Sequence, residues 1–415
     1  MFDCLNIFIV ITCSFAATLF FALIMKCTRK TIFYSAITGA IAYLVYYIIA
    51  SKGYNTSAFF LGTFVATIIC ELLARKFYKP ATIFIFPAII TIVPGLGLYE
   101  TMSYLVNSDI STGSLIGAKT ILYIIIMAIS MSVASVLFLI FKDKNKRVLK
   151  KNDDPLSSSN KEVLYLIGMA GRIILENGGE TYRAEDICKY ICYAYGIEHV
   201  ESIALPIGIF ITVGDIDSGE TTLIKRIKKR SINLDKLDKL NNLSRKISSG
   251  NMEIKDAIKE IKEIDKTSND GKYKWLKFSY EGLSAGFFSL LFFGGFYEFI
   301  CAFIAGLLVT LVTEKMIKIE SHPFFLALIG GIIISSVAFL FQLMPIEIDS
   351  KIAIISGMMP LLPGLAMTNA IQDAMRGDLV SGLARGAEAI IIATSLAIGV
   401  GMILSISSYF NMMIL

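Results

Sequence analysis

The chain has 415 residues, 55% of them apolar and only 18% charged, with a mean hydropathy of +0.67. A soluble enzyme with one membrane tail cannot reach that average, so many separate spans of about 20 apolar residues are expected. The formal net charge of +5, from 39 Lys plus Arg against 34 Asp plus Glu, is too small to point to nucleic acid, and the partner it implies is the lipid bilayer.

In chain order, the first third predicts five spans, about 5–25, 32–50, 56–74, 81–106 and 117–141. The first lacks a basic n-region and a small-residue cleavage site, so it reads as a retained span and not a signal peptide. At Lys142 the character changes: KDKNKRVLKKNDDPLSSSN is a charged linker that opens a polar insert running to about Lys274. Leu164, Ile167, Ile174 and Leu175, then Ile187, Ile191 and Tyr195, recur at helical spacing. Asn177-Gly178-Gly179 is a stop between these two helices, and Thr181 is the expected cap of the second. ESIALPIGIFITV reads as one strand, DIDSG as a turn and TTLIKRIKKR as a second strand or helix start. Helical patterns in SINLDKLDKLNNLSRKI and NMEIKDAIKEIKEI complete an α+β domain of roughly 100 residues. Five more spans follow, about 276–297, 299–313, 323–343, 351–375 and 386–410. The expected fold is an α-helical polytopic membrane protein with ten transmembrane helices in two five-helix repeats. Its parts are a first membrane repeat at 1–141, the linker and cytoplasmic α+β domain at 142–274, and a second membrane repeat at 275–415.

The two membrane halves align at a constant offset of 269 positions without gaps. Pro94-Gly95-Leu96 falls on Pro363-Gly364-Leu365, Asp109 on Asp378, Gly113 on Gly382 and Gly117-Ala118 on Gly386-Ala387, which makes seven identities in 25 positions. Basic residues gather in loops on one side: Lys26, Arg29 and Lys30; Arg75, Lys76 and Lys79; Lys142, Lys144, Lys146 and Arg147; Lys315 and Lys318; Arg376 and Arg385. The intervening loops carry only Lys52 and Lys351. That side, with the insert, is therefore expected in the cytoplasm and both termini outside. Five spans per half make the repeats inverted, a plan shared by many secondary transporters.

Each repeat holds a long apolar segment interrupted by Pro-Gly, TIVPGLGLYETM and LLPGLAMTNAI. Proline removes a backbone donor and clashes with the preceding turn. Backbone groups freed inside a bilayer survive only where protein or a wet cavity satisfies them. Two equivalent breaks predict a shared central site in which new helix N-termini suit a carboxylate. The candidate binding residues are Pro94, Gly95, Tyr99, Glu100 and Thr101, with Pro363, Gly364, Thr368 and Asn369. Hydroxyl and amide groups would hold a small zwitterion and Glu100 would face its ammonium; the alternative is that Pro-Gly merely kinks a packing helix.

Asp109 and Asp378 each follow their proline by 15 residues. They are either proton-coupling carboxylates folded back into the cavity or helix caps beside Ser111, Thr112 and Ser381. Lys119 and Glu388 hold equivalent positions and can pair across the pseudo-symmetry, while Glu298 stands in FFGGFYEFICAF with few polar neighbours. Seven Cys without a CxxC pair, and only His199 and His322, argue against a disulfide framework, a metal site or another cofactor. Glu176, Glu180, Glu185 and His199 lack an HExxH pattern or a nucleophile with its base, so no enzyme is expected. The stretch Lys225 to Arg230 reads as a solvated face or an anionic-lipid contact. Without GxxxxGK[ST] there is no sign of an ATP-driven pump.

GRIILENGGETYRAEDICKYICYAYGI resembles the threonine/serine exporter family, whose soluble region carries a similar Asn-Gly-Ala-Glu-Thr-x-Arg-x-Glu signature. Asn177, Gly178, Glu180, Thr181, Arg183 and Glu185 match it, and Gly179 replaces the usual Ala. GMMPLLPGLAMTNAIQDAMRGDLVSGLARGAEA resembles that family's membrane half. RKFYKPATIFIFPAIITIVPGLGLYETM is similar to the smaller membrane component that accompanies it, here fused and placed first in a permuted order. The resemblance implies efflux of small hydroxy amino acids driven by an ion gradient, and with the carboxylates above the expectation is a secondary transporter of the cell membrane that exports threonine, serine or a similar small carboxylate-bearing solute by alternating access, coupled to protons. Export of a dicarboxylate such as succinate is the alternative reading, and a membrane-embedded hydrolase or sensor a further one. Homo-oligomerisation is left open.

Overall fold

The computed structural model describes residues 4–106, 108–140, 160–215, 219–228, 230–250, 252–267, 274–318 and 322–414. The expected linker at 142–159, with Lys142, Lys144, Lys146 and Arg147, lies outside the described residues, as do positions 216–218 of the expected turn.

The first membrane half comprises α1 (Cys4–Ile24), α2 (Arg29–Ala50), α3 (Asn55–Phe77), α4 (Thr82–Ile89), α5 (Gly95–Val106) and α6 (Ile110–Ile140). The second comprises α11 (Lys274–Leu291), α12 (Phe296–Lys318), α13 (Pro323–Gln342), α14 (Ser350–Met358), a 3-10 turn (Met359–Leu361), α15 (Gly364–Met375) and α16 (Leu379–Ile414). In lipid no hydrophobic force drives helix against helix, so close packing relies on small residues. Accordingly α2 buries Ser35, Ala36, Gly39, Ala40 and Ala42, with Gly39 seated on Thr18 of α1. Some buried hydroxyls return to their own helix, as Thr67 does to the Thr63 carbonyl at 2.8 Å, and Ser130 of α6 donates across to the Phe60 carbonyl of α3 at 2.7 Å.

Seven described helices are long and apolar enough to cross a membrane, and the pair Ser350–Leu361 with Ala366–Met375, bent by 51°, makes an eighth. The chain is thus a polytopic α-helical membrane protein. The other two expected spans fall on α11, which carries Lys274, Lys277 and Glu281 in 18 residues, and on α4 with α5, pieces of 8 and 12 residues. Both α6 and α16 begin seven residues earlier than expected, because their Ser- and Gly-containing first turns are helical and capped. Asp109 Oδ1 accepts from the Thr112 amide at 3.0 Å and Asp378 Oδ1 from the Ser381 amide at 3.3 Å.

The insert contains α7 (Asn160–Glu176), α8 (Thr181–Ala194), β1 (His199–Leu205), β2 (Gly208–Asp215), β3 (Gly219–Arg226), α9 (Leu234–Ser248) and α10 (Ile254–Lys266). The expected single strand is two. Leu205 pairs with Gly208, so Pro206 and Ile207 form a two-residue turn in an antiparallel β1-β2-β3 sheet. Proline has no amide to give the ladder, which breaks the run there. Ile209, Ile211 and Val213 alternate inward against α7, where Gly171 and Gly168 contact Ile209 and Leu223. Thr181 does not cap α8: Glu180 holds the N-cap position, without a side-chain bond to the helix amides.

The insert docks on the basic loops of the first half. The amides of Leu234 and Asp235 donate to the Met25 and Lys26 carbonyls, each at 3.1 Å. Lys79 pairs with Asp238 and donates to Thr28 Oγ1 at 3.1 Å. Asp238 is only 5% exposed, so Lys79→Met strands a buried carboxylate and is expected to cost about 3 kcal/mol. Thermal unfolding of the purified chain should show the loss, and adding Asp238→Leu should recover most of it.

Candidate functional site

Both Pro-Gly pairs break their segments. The first breaks between α4 and α5 and the second between α14 and α15, and Gly95 and Gly364 each open the new helix. A shift of 269 positions carries both bounds of α5 onto those of α15, and the first residue of α6 onto that of α16. The two breaks meet. A methyl group added at Gly364 would run into the Val93 side chain, and one at Gly95 into Met359 and Leu362. Val93, Met359 and Leu362 are all buried.

The polar residues beyond the breaks divide into four kinds. Thr101 and Thr368 donate to the carbonyls of Gly97 and Gly364, four residues back, at 2.7 and 2.8 Å. Tyr99 is buried and lines, with Ser103, Met358, Val400 and Gly401, a cavity of about 10 Å³, room for one water. Glu100, expected to face a solute ammonium, instead pairs with Lys351 Nζ of α14 at 2.9 Å, tying the two halves together. Asn369 is 7% exposed and its Oδ1 accepts no hydrogen bond.

One turn further along the same face of α15 lies Asp373, also buried. Its Oδ2 stands 3.2 Å from Arg385 Nε of α16 without forming a hydrogen bond. Sequence reasoning missed this pair. The available signal was a carboxylate four residues after Asn369 inside an apolar segment, where ionisable groups are rare and functional.

Neither capping aspartate reaches the breaks. Asp109 is exposed, and the Thr112 hydroxyl and amide hold its carboxyl below the usual carboxylate range. Asp378 uses its second oxygen to accept from Thr181 Oγ1 at 2.8 Å. Two other expectations are corrected. Glu388 pairs with Arg230 of the insert at 2.6 Å, not with Lys119, which is exposed. Glu298 is well provided with polar neighbours, since it accepts from the amides of Asp349 at 2.7 Å and Gly295 at 2.8 Å.

The insert's signature segment shapes its own fold and reaches the α15–α16 region through a joint made by Thr181 and the Gly179 carbonyl. Asn177 Nδ2 donates to the Ile173 carbonyl at 2.7 Å, and Gly178 turns the chain at a φ of 86°, a region where a Cβ is strained. The Gly179 carbonyl accepts from Arg385 Nη2 at 3.1 Å. Glu180, 5% exposed, forms an ion pair with Arg183 Nε at 2.9 Å. Burial works against the Arg183 charge, but the Glu180 carboxylate, with Tyr182 and Glu71, more than offsets it and keeps the guanidinium above its ordinary value. Glu185 accepts from the Ala204 amide at 2.9 Å and fixes α8 to β1. Arg376, beyond α15, stacks over the Tyr182 ring at 4.0 Å.

Because Thr181 donates to a carboxylate, Thr181→Val should weaken this joint by about 1.5 kcal/mol. Amide hydrogen exchange in the first turn of α8 and in the α15–α16 turn is then expected to accelerate about tenfold, while α10 is unaffected.

Residues 165–407 match the family described as putative threonine/serine exporter, and residues 10–137 match the one described as threonine/serine exporter. The chain is similar to a threonine/serine exporter of Corynebacterium glutamicum, 25% identical over 258 residues that cover 61% of this chain and 53% of that protein. It is 24% identical over 254 residues to a probable succinate transporter subunit of Escherichia coli, covering 60% of this chain and 96% of that protein. A probable threonine/serine exporter of Mycobacterium tuberculosis is 22% identical over 245 residues, covering 58% of this chain and 45% of that protein. The chain therefore spans about half the length of these two exporters. No solved structure matches it.

Proposed function

The chain belongs to the threonine/serine exporter family, a family of transporters and not of enzymes, and from that premise we propose that it exports threonine, serine or a similar small hydroxy amino acid by alternating access. The observation that carries this reading is the meeting of the two Pro-Gly breaks, with an unpartnered Asn369 oxygen on the helix that the second break opens. A buried acceptor without a donor costs about 1–3 kcal/mol, and a solute ammonium would supply the donor. The N-termini of α5 and α15 would take the solute carboxylate. Pro94, Gly95, Pro363 and Gly364 then shape the site, while Tyr99, Thr101, Thr368 and Asn369 line it, with Glu100 held by Lys351 in the closed arrangement. A cavity of about 10 Å³ admits no amino acid, so solute entry requires the broken segments to part.

The architecture proposed is ten crossings in two inverted repeats, 1–141 and 275–415, with α4–α5 and α14–α15 each counted once, around an insert at 142–274. The shared helix bounds under one offset support it. The insert touches the loops that carry Lys26 and Lys79 and, on α16, Arg385, which supports a cytoplasmic insert with both termini outside. Proton coupling is the proposed drive.

Succinate export is the second reading, favoured by the 96% coverage of the succinate transporter subunit. Purified chain in liposomes loaded with labelled threonine, serine or succinate, with and without an imposed pH gradient, separates the two. Gradient-responsive threonine or serine efflux is expected. Succinate flux alone would favour the second reading, and no flux of any solute would overturn both.

A further inference from the structure

On α15, the segment that leads from the second break toward the insert, Asn369 and Asp373 share one face, and both are more than nine-tenths buried. Each presents an oxygen that accepts no hydrogen bond. Two unmatched acceptors in line, one at the proposed solute site and one a turn closer to the insert, mark a polar track through an otherwise apolar segment.

The charges around Asp373 come from every element that closes on it. Arg385 faces it from α16, Arg376 and Asp378 from the turn after α15, and Glu180 from the insert. From α6 the contact at this end of α15 is the uncharged Ser132, against Met375; the one charged residue of α6, Lys119, is exposed. Most of these charges have a separate partner. Glu180 has Arg183, Asp378 has the Thr181 hydroxyl and its capped amide, and Arg376 lies on Tyr182. Asp373 is left with Arg385 alone, and Arg385 is divided between the carboxylate and the Gly179 carbonyl. A carboxylate held by a single shared cation loses its compensation as soon as the two helices carrying the pair slide apart. An unpaired carboxylate in a buried place favours its protonated form.

We propose that Asp373 is the proton-carrying group of the transport cycle, in place of the two capping aspartates, with Arg385 as the cation that holds it between protonations. This role rests on the transporter reading above. In the closed arrangement Asp373 is ionised and paired. When α15 moves to release solute, the pair opens and Asp373 takes a proton from water on that side, forming an O–H bond at a carboxylate oxygen. On the return stroke that bond breaks, the proton passes to water on the other side and Arg385 pairs again. Net charge at the pair is restored each turn, and one proton crosses against the solute.

The test uses the purified full chain in liposomes and whichever of labelled threonine, serine or succinate the wild type carries. Two fluxes are read: accumulation driven by a pH gradient, and exchange of labelled for unlabelled solute at equal pH. Asp373→Asn should lower gradient-driven accumulation by about tenfold or more while exchange persists, and Asp373→Glu should restore accumulation with a displaced pH profile. Accumulation that survives in Asp373→Asn overturns the proposal. So does loss of both fluxes in a variant that melts like the wild type and is not rescued by Asp373→Glu, since that outcome assigns a structural role. If Asp373→Asn does not fold, Asp373→Glu decides alone, and an unmoved pH profile overturns the proposal. A wild type that exchanges solute but ignores the gradient removes proton coupling and leaves the transporter reading standing. A wild type that moves none of the three solutes removes the transporter reading itself.

Discussion

Gly364→Ala is expected to cut solute flux through the reconstituted chain by about tenfold or more while the protein still folds. The added methyl would occupy the space now filled by the Val93 side chain of the other half. Val93 is β-branched and buried, so it has few rotamers in which to withdraw. Overpacking of this kind costs about 1–3 kcal/mol, and 1.4 kcal/mol is a factor of ten in any population the cycle must pass through. Gly95→Ala should be milder. The obstacle there is chiefly the end of Met359, an unbranched side chain that adapts to irregular space. Pairing Gly364→Ala with Val93→Ala should restore flux, because the second change removes the atoms with which the first collides. Flux that is unchanged in Gly364→Ala would mean that the close approach of the two breaks plays no part in transport.

What could be read from the chain, and what could not, follows from the range of each interaction. The apolar runs, the two Pro-Gly breaks and the helices of the insert are local, and each was legible from composition, spacing and turn chemistry. The one strand misread as continuous, ESIALPIGIFITV, carried its own warning in Pro206. The seven residues missed at the start of α6, ISTGSLI, and of α16, LVSGLAR, interrupt their apolar runs with Ser, Thr, Gly and Arg. Aspartate caps make them helical, and a hydropathy scan does not weigh a cap. The charged pairs are another matter. Glu100 finds Lys351 across 251 positions, Lys79 finds Asp238 across 159 and Arg230 finds Glu388 across 158. No local pattern encodes such partners, so Glu100 looked available for a solute and Glu388 for Lys119. The signature residues were recognised as a unit, yet that Thr181 and the Gly179 carbonyl within that segment bind Asp378 and Arg385 is visible only once the insert is docked.

Asn369→Leu separates binding from packing by the sign of two measurements. The substitution keeps the approximate shape of the side chain and removes its amide. If the Asn369 oxygen accepts from a solute ammonium, the loss is that of a hydrogen bond to a charged group, about 1.5–3 kcal/mol, or roughly 10–100-fold in solute affinity. KM for efflux should rise by that factor. Stability should move the other way or not at all. An acceptor that is buried and unpartnered in the solute-free protein is a cost to the folded state, and replacing it with an apolar group of similar volume relieves that cost. A thermal midpoint equal to or above that of the wild type, together with the raised KM, is therefore the expected pair of results. The opposite pair, a lower midpoint with KM unchanged, would identify Asn369 as a packing residue and move the solute site away from the second break. Thr368, its neighbour in sequence, provides the internal comparison. Its hydroxyl is already bonded to the Gly364 carbonyl, so Thr368→Val should cost about 1 kcal/mol of stability and raise KM by a smaller factor than Asn369→Leu does.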